Sequence, residues 1–123
     1  MNPDGNIFDG LPSNPMDQES FSALLVTEGV RVERIVSFGH ASPPGFWYDQ
    51  PEREWVILLS GAARLQFEDQ ADAVELTPGT YLDIAAHRRH RVESTAPAVP
   101  TVWLAIHYKA AGDYDSGVDR TGG

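Results

Sequence analysis

From Val30 onward the chain alternates apolar and polar positions in short runs separated by turn residues. The runs "VRVERIVSF", "GFWYD", "EWVILLS", "AARLQFED", "AVELT", "TYLDIAA", "HRVEST" and "TVWLAIHY" have the length and period of β-strands. Pro78-Gly79 suits the central positions of a type II turn, where Pro sets the first φ and Gly accepts a positive second one. Eight short strands in about 80 residues predict an all-β sandwich or barrel. Residues 1 to 18, rich in Pro, Asn, Asp and Gly, read as an irregular arm, and Gln18 to Leu25 as a short helix. The expected organisation is an arm over 1–18, a barrel over 19–108 and a mobile tail over 109–123, which has little to bury.

Alternation also assigns faces. Leu65 and Phe67 share one face of "AARLQFED" opposite Arg64, Gln66 and Glu68, so Leu65, Phe67, Val74, Leu76, Leu82 and Ile84 are the expected core. "EWVILLS" and "TVWLAIHY" are apolar on both faces, which asks for a cover from the arm or from a second subunit. A homodimer is therefore expected. Glu54 heads one of these runs. An ionised carboxylate there is costly unless something pairs with it or ligates it.

Composition narrows the classes. The 123-residue chain suits one domain. No apolar run approaches the roughly 20 residues of a membrane span, and Met1 to Ser20 lacks the pattern of a secretory signal, so a cytoplasmic location is expected. Without Cys there is neither disulfide nor thiolate chemistry. A net charge of −9 repels nucleic acid and anionic lipid, so neither is an expected partner.

Two stretches resemble the sequence motifs of the cupin family of jelly-roll barrels. The Glu54 to Gly61 spacing matches the end of the first motif, and the Gly79 to His90 spacing matches the second, which places His90 at a metal-ligand position. The first motif's His-x-His pair is missing: a four-residue gap before Glu54 puts Trp47 and Asp49 there, and a three-residue gap puts Tyr48 and Gln50. Ala85, His87 and Ser94 replace the Pro, Gly and Asn of the second motif, and Ala41 the leading Gly of the first. The resemblance implies a cupin-type double-stranded β-helix over about residues 20 to 108, with a divalent metal (Zn, Mn, Ni or Fe) on Glu54 and His90. Asp49 is the expected third ligand, and His107 or Gln50 the reserve. The plain alternative is a hydrogen-bonded Glu54 and a buried His90 with a partner.

Other residues carry further expectations. His107 shares a strand face with Trp103 and Ala105 and is the candidate general base. Arg88, with Arg89, would clamp an anionic group, or else pair with a nearby Glu. Trp47, Tyr48 and Gln50 would line the ligand site, while His40 and His87 read as surface. The family analogy implies a dioxygenase, decarboxylase or isomerase. A non-catalytic small-molecule sensor and a metal-free sugar isomerase or epimerase stand beside it.

Overall fold

The computed structural model describes residues 2–109; the tail expected over 109–123 lies outside them apart from Lys109. Eight strands follow in order: β1 (Ser20–Thr27), β2 (Val30–Ser37), β3 (Arg53–Ser60), β4 (Ala63–Phe67), β5 (Val74–Leu76), β6 (Tyr81–Ile84), β7 (His90–Thr95) and β8 (Thr101–Tyr108). They form a five-stranded sheet in the order β1-β2-β8-β3-β6 and a three-stranded sheet in the order β5-β4-β7. Every named pairing is antiparallel.

The helix expected over Gln18 to Leu25 is instead β1. An isolated helix of that length cannot offset its nucleation cost, whereas β1 pairs with β2 from Ser20↔Val36 to Thr27↔Val30, with one bulge between Ala23 and Leu25. The strand expected at "GFWYD" is reduced to a single bridge, Tyr48↔His90. Pro43, Pro44 and Pro51 flank that segment and Gly45 has φ 80, so no regular ladder runs through it.

Between the sheets lies one core cluster that includes Val56, Leu58, Leu65, Phe67, Leu76, Ile84, Trp103 and Ala105. Of the expected core, Leu65, Phe67, Leu76 and Ile84 are buried, and Val74 and Leu82 pack against them partly buried. The two-sided apolar strands have their explanation in part. Val56 and Leu58 face the core, while Trp55 and Ile57 lie on the outer side, in one row with Ile106, Val32 and Leu25 through Trp55. The arm is tied to the barrel near that side: Arg34 Nη1 donates to the Ile7 and Asp9 carbonyls at 3.1 and 2.6 Å. His40 is a tie rather than plain surface, since its Nδ1 accepts from the Phe38 amide (2.8 Å) and its Nε2 donates to the Met16 carbonyl (2.9 Å).

Candidate functional site

The inner residues of the large sheet change from apolar to polar toward one end of the barrel. One transverse row runs Arg31 (β2), His107 (β8), Glu54 (β3), Ile84 (β6), each the direct cross-strand partner of the next. Glu33 sits one step inward on β2. From the small sheet, His90 opens β7, and exchanges backbone hydrogen bonds with Tyr48 of 2.7 and 3.2 Å. These residues, with Glu19, Gln50 and an apolar floor of Val56, Leu65 and Trp103, line a cavity of about 120 Å³. One water needs about 10 to 15 Å³ on this measure, so the cavity admits a small organic molecule.

Glu54, His90 and His107 are only 8%, 5% and 4% exposed. His90 Nδ1 donates to the Arg88 carbonyl at 2.8 Å, since a carbonyl only accepts. This leaves Nε2 facing Glu54 Oε1 at 3.5 Å. The Tyr48 ring stacks on the imidazole (5.5 Å between centroids, 25°), and Phe67 lies 6.0 Å away on a tilted plane. Burial, and then the carboxylates of Glu19, Glu54 and Glu33, push the Tyr48 phenol above its ordinary pKa. Tyr48 is therefore a proton-bearing donor over the physiological range.

The segment before Glu54 settles between the two gaps the sequence left open. Tyr48 and Gln50 line the cavity, so they hold the two places of the missing His-x-His pair. Asp49 points away from it: its Oδ1 meets His87 Nδ1 at 2.7 Å, and both side chains are exposed. Trp47 is half-buried and does not line the cavity either. The His87 amide donates to the Gln50 carbonyl (2.7 Å), which helps set this register. His87 also has φ 62, so the place of the motif's Gly keeps a left-handed backbone, for which His is among the better-tolerated side chains.

Arg88 is a further correction. It holds Asp69 in a two-pronged hydrogen bond (3.1 and 3.0 Å), with its guanidinium carbon 3.7 Å above the Phe67 ring. Arg89 pairs with Glu68 at 3.1 Å. Both arginines are thus occupied outside the cavity, by the two carboxylates that follow Phe67 in sequence, Glu68 and Asp69. His107 lies on the cavity wall with its Nε2 3.0 Å from Glu33 Oε1, while its Nδ1 is buried without a partner among the described residues.

Arg31, Glu33 and Glu19 were not singled out by sequence. The signal was there for two of them, because alternation in "VRVERIVS" puts Arg31 and Glu33 on the side of Ile35, which lies against the core.

Among the described residues, no three His, Asp or Glu side chains stand together as a metal-binding group. Glu54 and His90 do supply two facing donors, with the His90 Nδ1–H held by a backbone carbonyl, as in metal-ligating histidines. Gln50 Oε1 is buried and has no hydrogen-bond partner among the described residues, and Gln50 lines the same cavity. An anionic oxygen, an imidazole nitrogen and an orphaned amide oxygen suit a divalent ion. The donor set fits one through Glu54, His90 and Gln50.

An eight-stranded antiparallel jelly roll with a polar cluster at one end of its lumen is the architecture of a cupin. No family model and no curated protein sequence matches the chain. Among solved structures it is similar to a protein from Ralstonia eutropha JMP134 provisionally assigned as a mannose-6-phosphate isomerase. The identity is 45%, with a TM-score of 0.84, over 89% of this chain and 100% of that one. An RmlC-like cupin with a double-stranded β-helix fold from Methanocaldococcus jannaschii matches at 16% identity and a TM-score of 0.63, over 76% of this chain and 83% of that one. The DMSP lyase DddQ from Ruegeria pomeroyi matches at 16% identity and 0.64, over 75% of this chain and 47% of the lyase. The chain belongs to the cupin superfamily, as a small cupin whose first histidine motif is degenerate.

Proposed function

We propose that this cupin binds a small hydroxy-carbonyl compound in its barrel and isomerises it by proton transfer. The observation that carries the reading is the facing pair of His90 Nε2 and Glu54 Oε1 inside a cavity shared with a proton-bearing Tyr48. Aldose–ketose isomerisation removes a proton from the carbon beside a carbonyl and returns one to the former carbonyl carbon, while the oxygen protons move the other way. His90 Nε2 is the base, because its other nitrogen is tied to Arg88 and its free one opens on the cavity. Glu54 stabilises the imidazolium that forms, and Tyr48 donates to the developing alkoxide. The assignment of the Ralstonia relative supports mannose 6-phosphate as the first substrate to test.

Incubation with mannose 6-phosphate in heavy water should place solvent deuterium on the carbon beside the carbonyl, read by NMR. His90→Gln should slow the exchange about 100-fold or more, the range of general acid–base contributions. If wild-type protein exchanges no faster than buffer, catalysis is refuted and a binding or sensing cupin remains.

The orphaned Gln50 oxygen favours a second version of the site, in which Glu54, His90 and Gln50 hold a divalent ion. The ion would supply Lewis-acid polarisation of the bound oxygen, and Tyr48 would keep its donor role. Zn, Mn, Ni or Fe(II) at neutral pH should then raise the melting temperature, since a ligand at 100 times its Kd adds about 2.7 kcal/mol to the folded state. His90→Ala should abolish the rise and Glu54→Gln should reduce it. No shift with any of the four ions, or activity that survives chelation in full, would leave the metal-free version.

A further inference from the structure

A second cavity, of about 200 Å³, adjoins the first and shares Arg31 and His107 with it. Its other walls are the β1–β2 turn (Val26, Thr27, Gly29, Val30), Glu52 and Lys109. The two chambers differ in charge. The first collects the carboxylates of Glu19, Glu33 and Glu54, whereas the second presents two cations, Arg31 and Lys109, to one carboxylate.

Lys109 stands out among the described basic residues of a chain that has nine Lys and Arg for 18 Asp and Glu. Arg64, Arg88, Arg89 and Arg91 each pair with a carboxylate, Arg53 with Asp83, and Arg34 with the arm. Lys109, the sole lysine, has no ion pair among the described residues. Arg31 is ion-paired through Nη1 with Glu52 at 3.4 Å and through Nε with Glu33 at 3.9 Å. Its Nη2 has no partner among the described residues. A guanidinium with its Nη2 to spare, beside an ammonium that has no ion pair among the described residues, is chemistry that recognises a carboxylate or a phosphate.

We infer that this second chamber is an anion subsite, in which Arg31 and Lys109 hold the carboxylate or phosphate head of a small ligand whose hydroxyl-bearing body occupies the acidic chamber. The inference rests on the reading of the first cavity as the ligand site. The charge layout also sets direction: an anionic head is repelled by Glu19, Glu33 and Glu54 and attracted by Arg31 and Lys109, so the ligand enters in one orientation. The two chambers together accommodate a longer molecule than the first holds alone.

The test compares mannose, mannuronate and mannose 6-phosphate, which share a ring and differ in the head, by calorimetry or NMR titration of the full chain at low salt. The charged sugars should bind about tenfold or more tightly than mannose, the usual scale of charge-assisted hydrogen bonds. Lys109→Gln, which touches only the second chamber, should remove most of that advantage and leave mannose unaffected. Arg31→Gln should remove the rest. The order of the two charged sugars, repeated with acetate and inorganic phosphate as heads without a body, tells which anion the chamber prefers. Equal binding of all three sugars, an advantage that survives Lys109→Gln and Arg31→Gln, or no binding of any of these anions would overturn the subsite. Glu54→Gln separates the two readings. A loss of affinity for all three sugars alike confirms the first cavity. Unchanged sugar binding in Glu54→Gln, with anion binding still lost in Lys109→Gln, refutes the first cavity and leaves the subsite standing.

Discussion

Replacing Phe67 with Ala should lower stability by about 3 to 5 kcal/mol, the cost of leaving a phenyl-sized cavity in a packed core. Phe67 is 2% exposed and ranks first by volume among the fully buried side chains. Its ring is also a platform, with the Arg88 guanidinium 3.7 Å above it and the His90 imidazole 6.0 Å away. For a domain of this size each kcal/mol moves the melting temperature by about 4 to 8 °C, so a fall of more than about 10 °C is expected. Because His90 loses a packing surface, proton exchange into the sugar should slow in the same variant, measured below its melting temperature. An unchanged melting temperature would contradict the packing described for β4.

Gly61→Ala should be comparably damaging for a different reason. Gly61 has φ +88, a conformation that side chains rarely adopt, and a Cβ there would lie 2.3 Å from Thr101 Oγ1 and 2.6 Å from Thr101 Cα. The second contact is with backbone, so the β3–β4 turn must move. Thr101 Oγ1 both accepts from the Ala62 amide (3.3 Å) and donates to its carbonyl (3.2 Å), and those bonds would be strained by the shift. Overpacking and left-handed strain each cost about 1 to 3 kcal/mol, so a loss of about 2 to 5 is expected. Gly79→Ala is the control: it has φ +94 but nothing within 4 Å of its added Cβ. It should cost only the strain, about 1 to 2 kcal/mol. Equal denaturation midpoints for the two variants would show that the Thr101 approach is not what requires Gly61.

These glycines show what spacing in the sequence can carry. Gly61 stands seven residues after Glu54 because β3 runs as far as Ser60, and the chain must reverse where Thr101 leaves no room for a side chain. The Gly79 to His90 spacing works similarly, spanning β6 and the turn that delivers His90 to β7. Both intervals follow from strand lengths and turn chemistry, which are local, so the sequence determined the barrel, most of its core and the meeting of Glu54 with His90. β7 and β8 coincide with the runs "HRVEST" and "TVWLAIHY" because alternation is a one-strand property.

What the tertiary structure decided lies where alternation stops or where partners are remote. Residues 43 to 51 contain three prolines and no regular ladder, so nothing local distinguishes Trp47 and Asp49 from Tyr48 and Gln50. The bridge to His90, 42 positions along the chain, makes the choice. Asp49 and Arg88, read as site residues, were claimed by His87 and Asp69 because charge pairing depends on distance in space. β1 became a strand because β2 satisfies its backbone, a gain that helix propensity does not contain. Alternation puts Arg31 and Glu33 on the core-facing side of β2, but only the row from β2 through β8 to β3 sets Arg31 in line with His107 and Glu54. That alignment is a property of the sheet, and no single strand encodes it.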